Sequence, residues 1–338
     1  MRRSGPGRQQ HEAGMAEPGR TATAFSIDQA RQALPPLDLD VRAPARGALA
    51  DYCHFFGFDA IAEAGVRHDL GWVEAWGYQI ATHVYQPPAR ARGTLLVLHG
   101  YFDHAGLFTH VIRRGLARGY AVVAIDLPGH GLSSGETGDI EDFQHYQEVL
   151  RDLLAALQPW LPGPWVAVGQ STGGGILLDH VLSSLAAGER PLFRRVQLWA
   201  PLVRIAQWRK VRMGHRLLRG IRRSVPRHFR RSSADPDFID LIWHRDPFQA
   251  RHIPLRWLGS VIRWEARLQA LPACRYPLTV VQGGRDETVD WRYNVDFIRR
   301  RTWVERQVDI PEASHHLANE REDLREQVLQ ALDRYVLT

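Results

Sequence analysis

A serine hydroxyl keeps its proton at neutral pH and is a poor nucleophile unless a base removes that proton. In residues 165–178, "WVAVGQSTGGGILL", one serine, Ser171, stands between Gly169 and Gly173, where a strand-like run turns into an apolar, helix-like one. A strand that reverses this tightly into a helix lifts the apical side chain out of the sheet, and it needs small neighbours so that the two backbones can crowd together. The start of the helix also aims backbone N–H groups at any negative charge that develops there. The pattern Gly-x-Ser-x-Gly occurs a second time around Ser133, at Gly131–Gly135. Turn residues flank that copy on both sides, so it reads as a structural loop and Ser171 is the candidate nucleophile.

In a fold that carries such a turn, the acid and the base follow the serine in the order Ser, Asp, His. Asp286 closes the strand-like run "LTVVQGGRD", and His315 lies in the loop "PEASHH" just after "ERQVDI". An aspartate there would orient the imidazole and stabilise its cation while the other ring nitrogen faces the serine. Asp290, at the start of the next helix, is the weaker acid candidate, and His316 competes with His315. An oxyanion hole needs two N–H donors: the amide of Thr172, next to the nucleophile, and that of Tyr101, in the loop "LHGYFDH" (residues 98–104). His99 and His104 in that loop lack the spacing of metal ligands and read as satisfied loop histidines. No metal and no cofactor is expected.

These residues are placed by an alternation of short apolar runs with amphipathic ones. "TLLVLHG" (94–100), "YAVVAID" (120–126), "WVAVGQ" (165–170), "RRVQLWAP" (194–201), "YPLTVVQGG" (276–284) and "ERQVDI" (305–310) read as strands. Helices are expected near 140–158, 172–187, 291–301 and 318–336. Continuous apolar strands interleaved with helices imply a mostly parallel sheet covered on both faces. "WVEAWGYQIATHVYQ" adds a hairpin around Trp76-Gly77. Residues 202–270 break the rhythm: they are rich in Arg, Trp and His, mostly helical and without a strand candidate. An insertion at that point lies above the carboxyl ends of the strands, as a cap. The chain then divides into a disordered tail (1–22), an N-terminal extension with a short helix (23–69), a core (70–201 and 271–338) and the cap (202–270).

Composition narrows the options. The 338 residues are 44% hydrophobic with 11 Trp, enough for one large core. Cys53 and Cys274 are too few for a disulfide framework and read as reduced, buried thiols in a cytoplasmic protein. No run of about 18 apolar residues is present to span a bilayer. The net charge is +6, and eleven cationic residues fall between Val203 and Ala234 without one acid. On a helix there, Trp208, Val211, His215, Leu218, Ile221 and Val225 fall near one face. Arginines crowd the rest. The plainer reading is that the apolar face covers the acyl pocket while the charges are solvated, and the sharper one is that the helix also docks on an anionic lipid surface. Arginine beside tryptophan also permits nucleic-acid binding, but no such motif accompanies it. Trp208, Trp243, Trp257 and Trp264 of the cap are candidates for an apolar substrate pocket; the plainer reading is that they bury the cap on the body.

"HGYFDHAGLF", "DLPGHGLSSGE", "VGQSTGG", "QGGRDETVD" and "EASHHLANE" together resemble successive motifs of the α/β-hydrolases. The similarity is greatest to the monoacylglycerol lipase and lysophospholipase branch, the serine aminopeptidase-like group, and covers residues 70–337. It implies an α/β-hydrolase fold with a helical cap, and a serine hydrolase that cleaves carboxylic esters bearing an acyl chain. It also implies Ser171 as nucleophile, Asp286 as acid, His315 as base and Tyr101 and Thr172 as oxyanion donors. Peptide, thioester or carbon–carbon hydrolysis and acyl transfer are open to the same triad, and a non-catalytic ligand-binding protein is the remaining alternative. Members of the branch commonly carry His and Met beside the serine, where this chain has Gln170 and Thr172.

Overall fold

The computed structural model describes residues 25–41, 44–62 and 65–338; the tail expected at 1–22 lies outside them. The N-terminal segment forms α1 (Ile27–Ala33), α2 (Ala48–Phe55) and α3 (Asp59–Ala62). The hairpin follows as β1 (Arg67–Ala75) and β2 (Tyr78–Gln86), paired antiparallel with Ala75 opposite Tyr78. Trp76 and Gly77 both take positive φ, 50° and 74°. That left-handed pair matches the twist of the flanking strands, as two-residue hairpin turns require.

The alternation then runs β3 (Thr94–Leu98), α4 (Thr109–Ala117), β4 (Ala121–Ile125), α5 (His145–Leu157), β5 (Trp165–Gln170), α6 (Thr172–Ala186) and β6 (Arg195–Trp199). The insertion holds α7 (Trp208–Leu218), β7 (Ser224–Pro226), α8 (Pro236–Asp240), a π-helical turn (Leu241–Arg245), β8 (His252–Pro254) and α9 (Leu255–Ala270). The chain closes with β9 (Pro277–Gly283), α10 (Trp291–Arg301), β10 (Trp303–Ile310) and α11 (Glu322–Tyr335). Eight strands form one sheet in the order β1-β2-β4-β3-β5-β6-β9-β10. Only β2 runs against the others.

Alternate residues of each central strand feed opposite cores. Leu96, Leu98, Val123 and Ile125 join the layer containing α5, α6 and α10, while Leu95, Val97, Val122 and Ala124 join that containing α4 and α11. Two-sided burial is why these strands are apolar at every position. The cap is bound into both layers: Leu255, Trp257, Val261 and Trp264 of α9 belong to the first, and Phe238 and Ile242 to the second.

Three expectations are corrected. The insertion contains two strands, β7 and β8, paired antiparallel over three residues each. Each ends in a proline, and three residues cannot display an alternation. Ile221 does not share the buried face of the cap helix: α7 ends at Leu218, and Ile221 is 79% exposed. Of the two thiols, Cys53 is buried but Cys274 is only half-buried, and both are free. Among the described residues, no helix is long and apolar enough to cross a membrane.

Candidate active site

Ser171 sits at the apex between β5 and α6 with φ 52° and ψ −111°, a left-handed conformation that side-chain-bearing residues rarely hold. The surrounding backbone enforces it. A Cβ on Gly173 would lie 2.3 Å from the Leu98 carbonyl oxygen, and one on Gly169 would lie 2.4 Å from that of Gly173. Ser171 N–H donates to the Trp199 carbonyl (2.8 Å), which fixes the turn from the neighbouring strand. Its hydroxyl does not cap the helix it precedes. Strain of this kind costs about 1–3 kcal/mol and persists only where the fold over-determines it.

Asp286 and His315 meet across 29 residues. His315 Nδ1 donates to Asp286 Oδ2 at 2.8 Å. Asp286 is otherwise fully engaged: Oδ1 accepts from Thr288 N–H (2.8 Å) and Val289 N–H (3.2 Å), and Oδ2 from Gln282 Nε2 (3.1 Å). Burial pushes this carboxyl up, but His315 and the two amides outweigh it, and the net direction is down. Burial likewise favours the neutral form of His315, yet the Asp286 and Asp103 carboxylates raise its proton affinity above that of a free histidine. With Nδ1 held by the carboxylate, Nε2 is the nitrogen left for proton transfer.

The rival residues are placed elsewhere. His316 Nε2 lies 3.1 Å from Asp103 Oδ2, on the loop after β3, not beside Asp286. Asp290 caps α10, accepting from Tyr293 N–H. Ser133 Oγ donates to the Asp126 carbonyl (2.6 Å) and accepts from Ala81 N–H (2.8 Å), a structural use that occupies the hydroxyl. His99 is satisfied at both nitrogens, by the Gly100 carbonyl and Leu127 N–H, and burial lowers its pKa to about 3. Among the described residues, no group of three or more His, Cys, Asp or Glu could hold a metal.

Gly100 brings the loop after β3 against Ser171: a Cβ there would be 3.2 Å from Ser171 Cβ. Asp103 N–H donates to the Gly100 carbonyl (3.1 Å), closing a tight turn with Tyr101 and Phe102 at its tip. Among the described residues, neither the Tyr101 amide nor that of Thr172 donates to a protein acceptor, so both are available to a developing oxyanion. Gln170, where the resemblance led one to look for histidine, accepts from Ala318 N–H (3.0 Å). It therefore ties the strand before Ser171 to the loop that carries His315.

The four tryptophans separate. Trp264 is a packing residue: it stacks on Phe143 at 4.0 Å between centroids and donates Nε1 to Asp179 Oδ2 (2.9 Å), docking α9 on α6. Trp208 is buried in the same core layer. Trp257 stacks on Tyr101 with centroids 3.5 Å apart, beside the site. Trp243 is half-buried and packs against the other layer. Arg227 and Gln249 also reach this loop, and no sequence motif singled out their part in it; Asp103 had a signal only as the acid of "HGYFDH", and Trp257 only as a candidate pocket residue.

Known proteins resemble this chain in sequence and in fold. A monoacylglycerol lipase of Mycolicibacterium smegmatis is 33% identical over 120 residues, 35% of this chain and 42% of that protein. Human monoglyceride lipase is 30% identical over 133 residues, 39% and 42% of the two chains. The aligned stretch thus spans about two fifths of the length of these curated relatives. Among solved structures, a monoacylglycerol lipase of Paleococcus ferrophilus superposes with a TM-score of 0.63 at 17% identity, covering 75% of this chain and 98% of that one. A soluble variant of Saccharomyces cerevisiae monoglyceride lipase, bound to a substrate analogue, gives 0.65 at 16%, covering 79% and 94%. These superpositions establish the α/β-hydrolase fold. The family model described as serine aminopeptidase, S33, matches residues 89–322, which span β3, the Ser171 turn, the cap and the Asp286–His315 pair, and the chain belongs to that family.

Proposed function

We propose that this chain is a cofactor-independent serine hydrolase of carboxylic esters that carry an acyl chain. Ser171 attacks the ester carbonyl as His315 takes its proton. The tetrahedral oxyanion forms against the amides of Tyr101 and Thr172, and His315 then returns the proton to the departing alcohol. Water activated by the same imidazole releases the acid from the acyl-enzyme. The observation that carries this reading is the Asp286–His315 hydrogen bond of 2.8 Å on the same sheet edge as a strained serine turn. The relatives named monoacylglycerol and monoglyceride lipases support a lipid-like ester as substrate.

A fluorophosphonate probe should label Ser171 alone. Ser171→Ala should lower turnover of p-nitrophenyl esters by about three orders of magnitude or more, the usual cost of losing a triad member. Labelling at Ser133 or Ser134 would overturn the assignment, and the same ester series from C2 to C16 would report the depth of the acyl pocket.

The cap surface supports peripheral contact with an anionic membrane. Met213, Leu217 and Ile221 are 61%, 65% and 79% exposed at four-residue intervals along and just beyond α7. Arg209, Arg212, Arg216, Arg219 and Arg222 are interleaved with them. An apolar stripe amid arginines is the pattern of a helix that lies in a headgroup layer, each cation adding about 1 kcal/mol near anionic lipid. Co-sedimentation with phosphatidylglycerol vesicles, weakening as salt rises, is the expected result. Equal binding to phosphatidylcholine, or none to either lipid, would leave the cap as a pocket lid alone. Free thiols at Cys53 and Cys274 suit a cytoplasmic setting for such a protein.

A further inference from the structure

The turn that offers the Tyr101 amide is not held by the sheet alone. Phe102, beside Tyr101, has φ 65°, a conformation that a bulky side chain disfavours. Its carbonyl oxygen accepts from Nε2 of Gln249 (3.1 Å), a cap residue in the loop before β8. Gln249 is itself fixed at both ends. Its Oε1 accepts from Arg227 Nη1 (2.8 Å), and its Nε2 also donates to Asp246 Oδ2 (2.6 Å). The Arg227 guanidinium lies 4.3 Å over the Phe102 ring and also donates to the Ala250 carbonyl (3.3 Å). Asp246 Oδ2 in turn lies 3.2 Å from Nε2 of His104, the last residue of the same loop, with both side chains fully buried. Trp257 of α9 stacks on the Tyr101 ring.

The turn is thus gripped by cap residues at each of its positions from Tyr101 to His104 except Asp103. An oxyanion donor acts only when it is preorganised, because a donor displaced by a fraction of an ångström must reorganise as charge develops. We propose that Gln249 is a positioning residue: through the Phe102 carbonyl it holds the strained turn, and with it the Tyr101 amide, in the geometry that binds the tetrahedral oxyanion. The cap then conditions the chemical step as well as covering the site. This rests on reading the Tyr101 amide as an oxyanion donor.

Gln249→Met keeps the side-chain volume and removes all three side-chain hydrogen bonds, so it separates positioning from packing. The test measures kcat and KM for a short-chain p-nitrophenyl ester, and affinity for an alkyl trifluoromethyl ketone. Ser171 adds to that ketone carbonyl as His315 takes the hydroxyl proton, and the carbonyl electron pair passes to oxygen, giving a hemiketal anion in the same hole. We expect kcat to fall about ten-fold with KM within about two-fold, and ketone affinity to weaken by a similar factor, a pattern of lost transition-state binding. A Gln249→Met protein with wild-type kcat and ketone affinity overturns the proposal, as does a loss confined to KM, which a packing role would give. Arg227→Met, which frees Gln249 from its anchor, carries the same expectation at smaller amplitude if Gln249→Met does not fold, and wild-type kcat in it overturns the proposal. Failure of the underlying site reading is distinct: turnover would then survive Ser171→Ala, and the coupling would fall with it.

Discussion

At the scale of single residues, the pair Asp286–His315 makes a signed claim about pH. The carboxylate raises the imidazole's proton affinity against burial, and a protonated imidazole cannot act as base. Activity should therefore climb with pH through a midpoint above about 6.5, the value of an unperturbed histidine. In Asp286→Asn the raising influence is lost, and burial, which favours the neutral ring, is opposed only by Asp103. The midpoint should move down while turnover drops by about four orders of magnitude, from loss of the tautomer and orientation. A pH–rate profile of both proteins checks this, and a midpoint unmoved by the substitution would sink it. His316→Ala should cost less than ten-fold by the same assay, because its ring faces Asp103 and not Asp286. These residues were legible because their chemistry restricts them to few types at strand ends. Gln249 and Arg227 were not, since a glutamine amide and a guanidinium serve anywhere, and only the folded cap brings them to Phe102.

At the scale of elements, the junction of β5 with α6 is closed to any added atom. A Cβ on Gly173 would meet the carbonyl oxygens of Leu98 and His99 at 2.3 and 2.7 Å, both backbone and unable to swing aside. Gly173→Ala must push α6 away from β3. We expect a stability loss of about 1–3 kcal/mol in chemical denaturation, and a fall in turnover because the Thr172 amide moves with the helix. A variant with the parent's denaturation midpoint and rate would show that the junction has slack. The core strands were readable because two-sided burial leaves them apolar throughout. The starts of α6 and α10 were readable too, at Thr172 and Trp291, but those of α5 and α11 were not. The apolar periodicity starts at residues 140 and 318, whereas α5 and α11 begin at His145 and Glu322. Ile140 and Phe143 are buried from the irregular segment before α5, and Leu317 and Ala318 from a 3₁₀ turn before α11. Apolar periodicity records burial, and here burial extends past the helix.

At the scale of the whole molecule, the N-terminal segment, outside the family match, is built into the body. Phe25, Tyr52 and Phe56 form an aromatic cluster with Phe248 of the cap, and Phe248 in turn packs on His104. The segment also runs along β1, the first strand of the sheet order. Leu37 N–H donates to the Trp72 carbonyl (2.9 Å), and Trp72 N–H to that of Pro35 (2.8 Å). Gly71 permits the contact: a Cβ there would lie 2.6 Å from Leu37 Cα and 2.9 Å from the Pro35 oxygen. Gly71→Val should lift residues 35–37 away, seen as faster hydrogen exchange at Leu37 and Trp72, with light scattering that grows with concentration. Unchanged exchange and scattering would count against it. An uncovered outer strand offers a row of free amides and carbonyls to any other chain, which is how sheets recruit further strands without limit. A missing methyl group at Gly71 thus lets a short peptide lie over this growth face at Trp72, where it works as a shutter does, by occupying the place a second molecule would take.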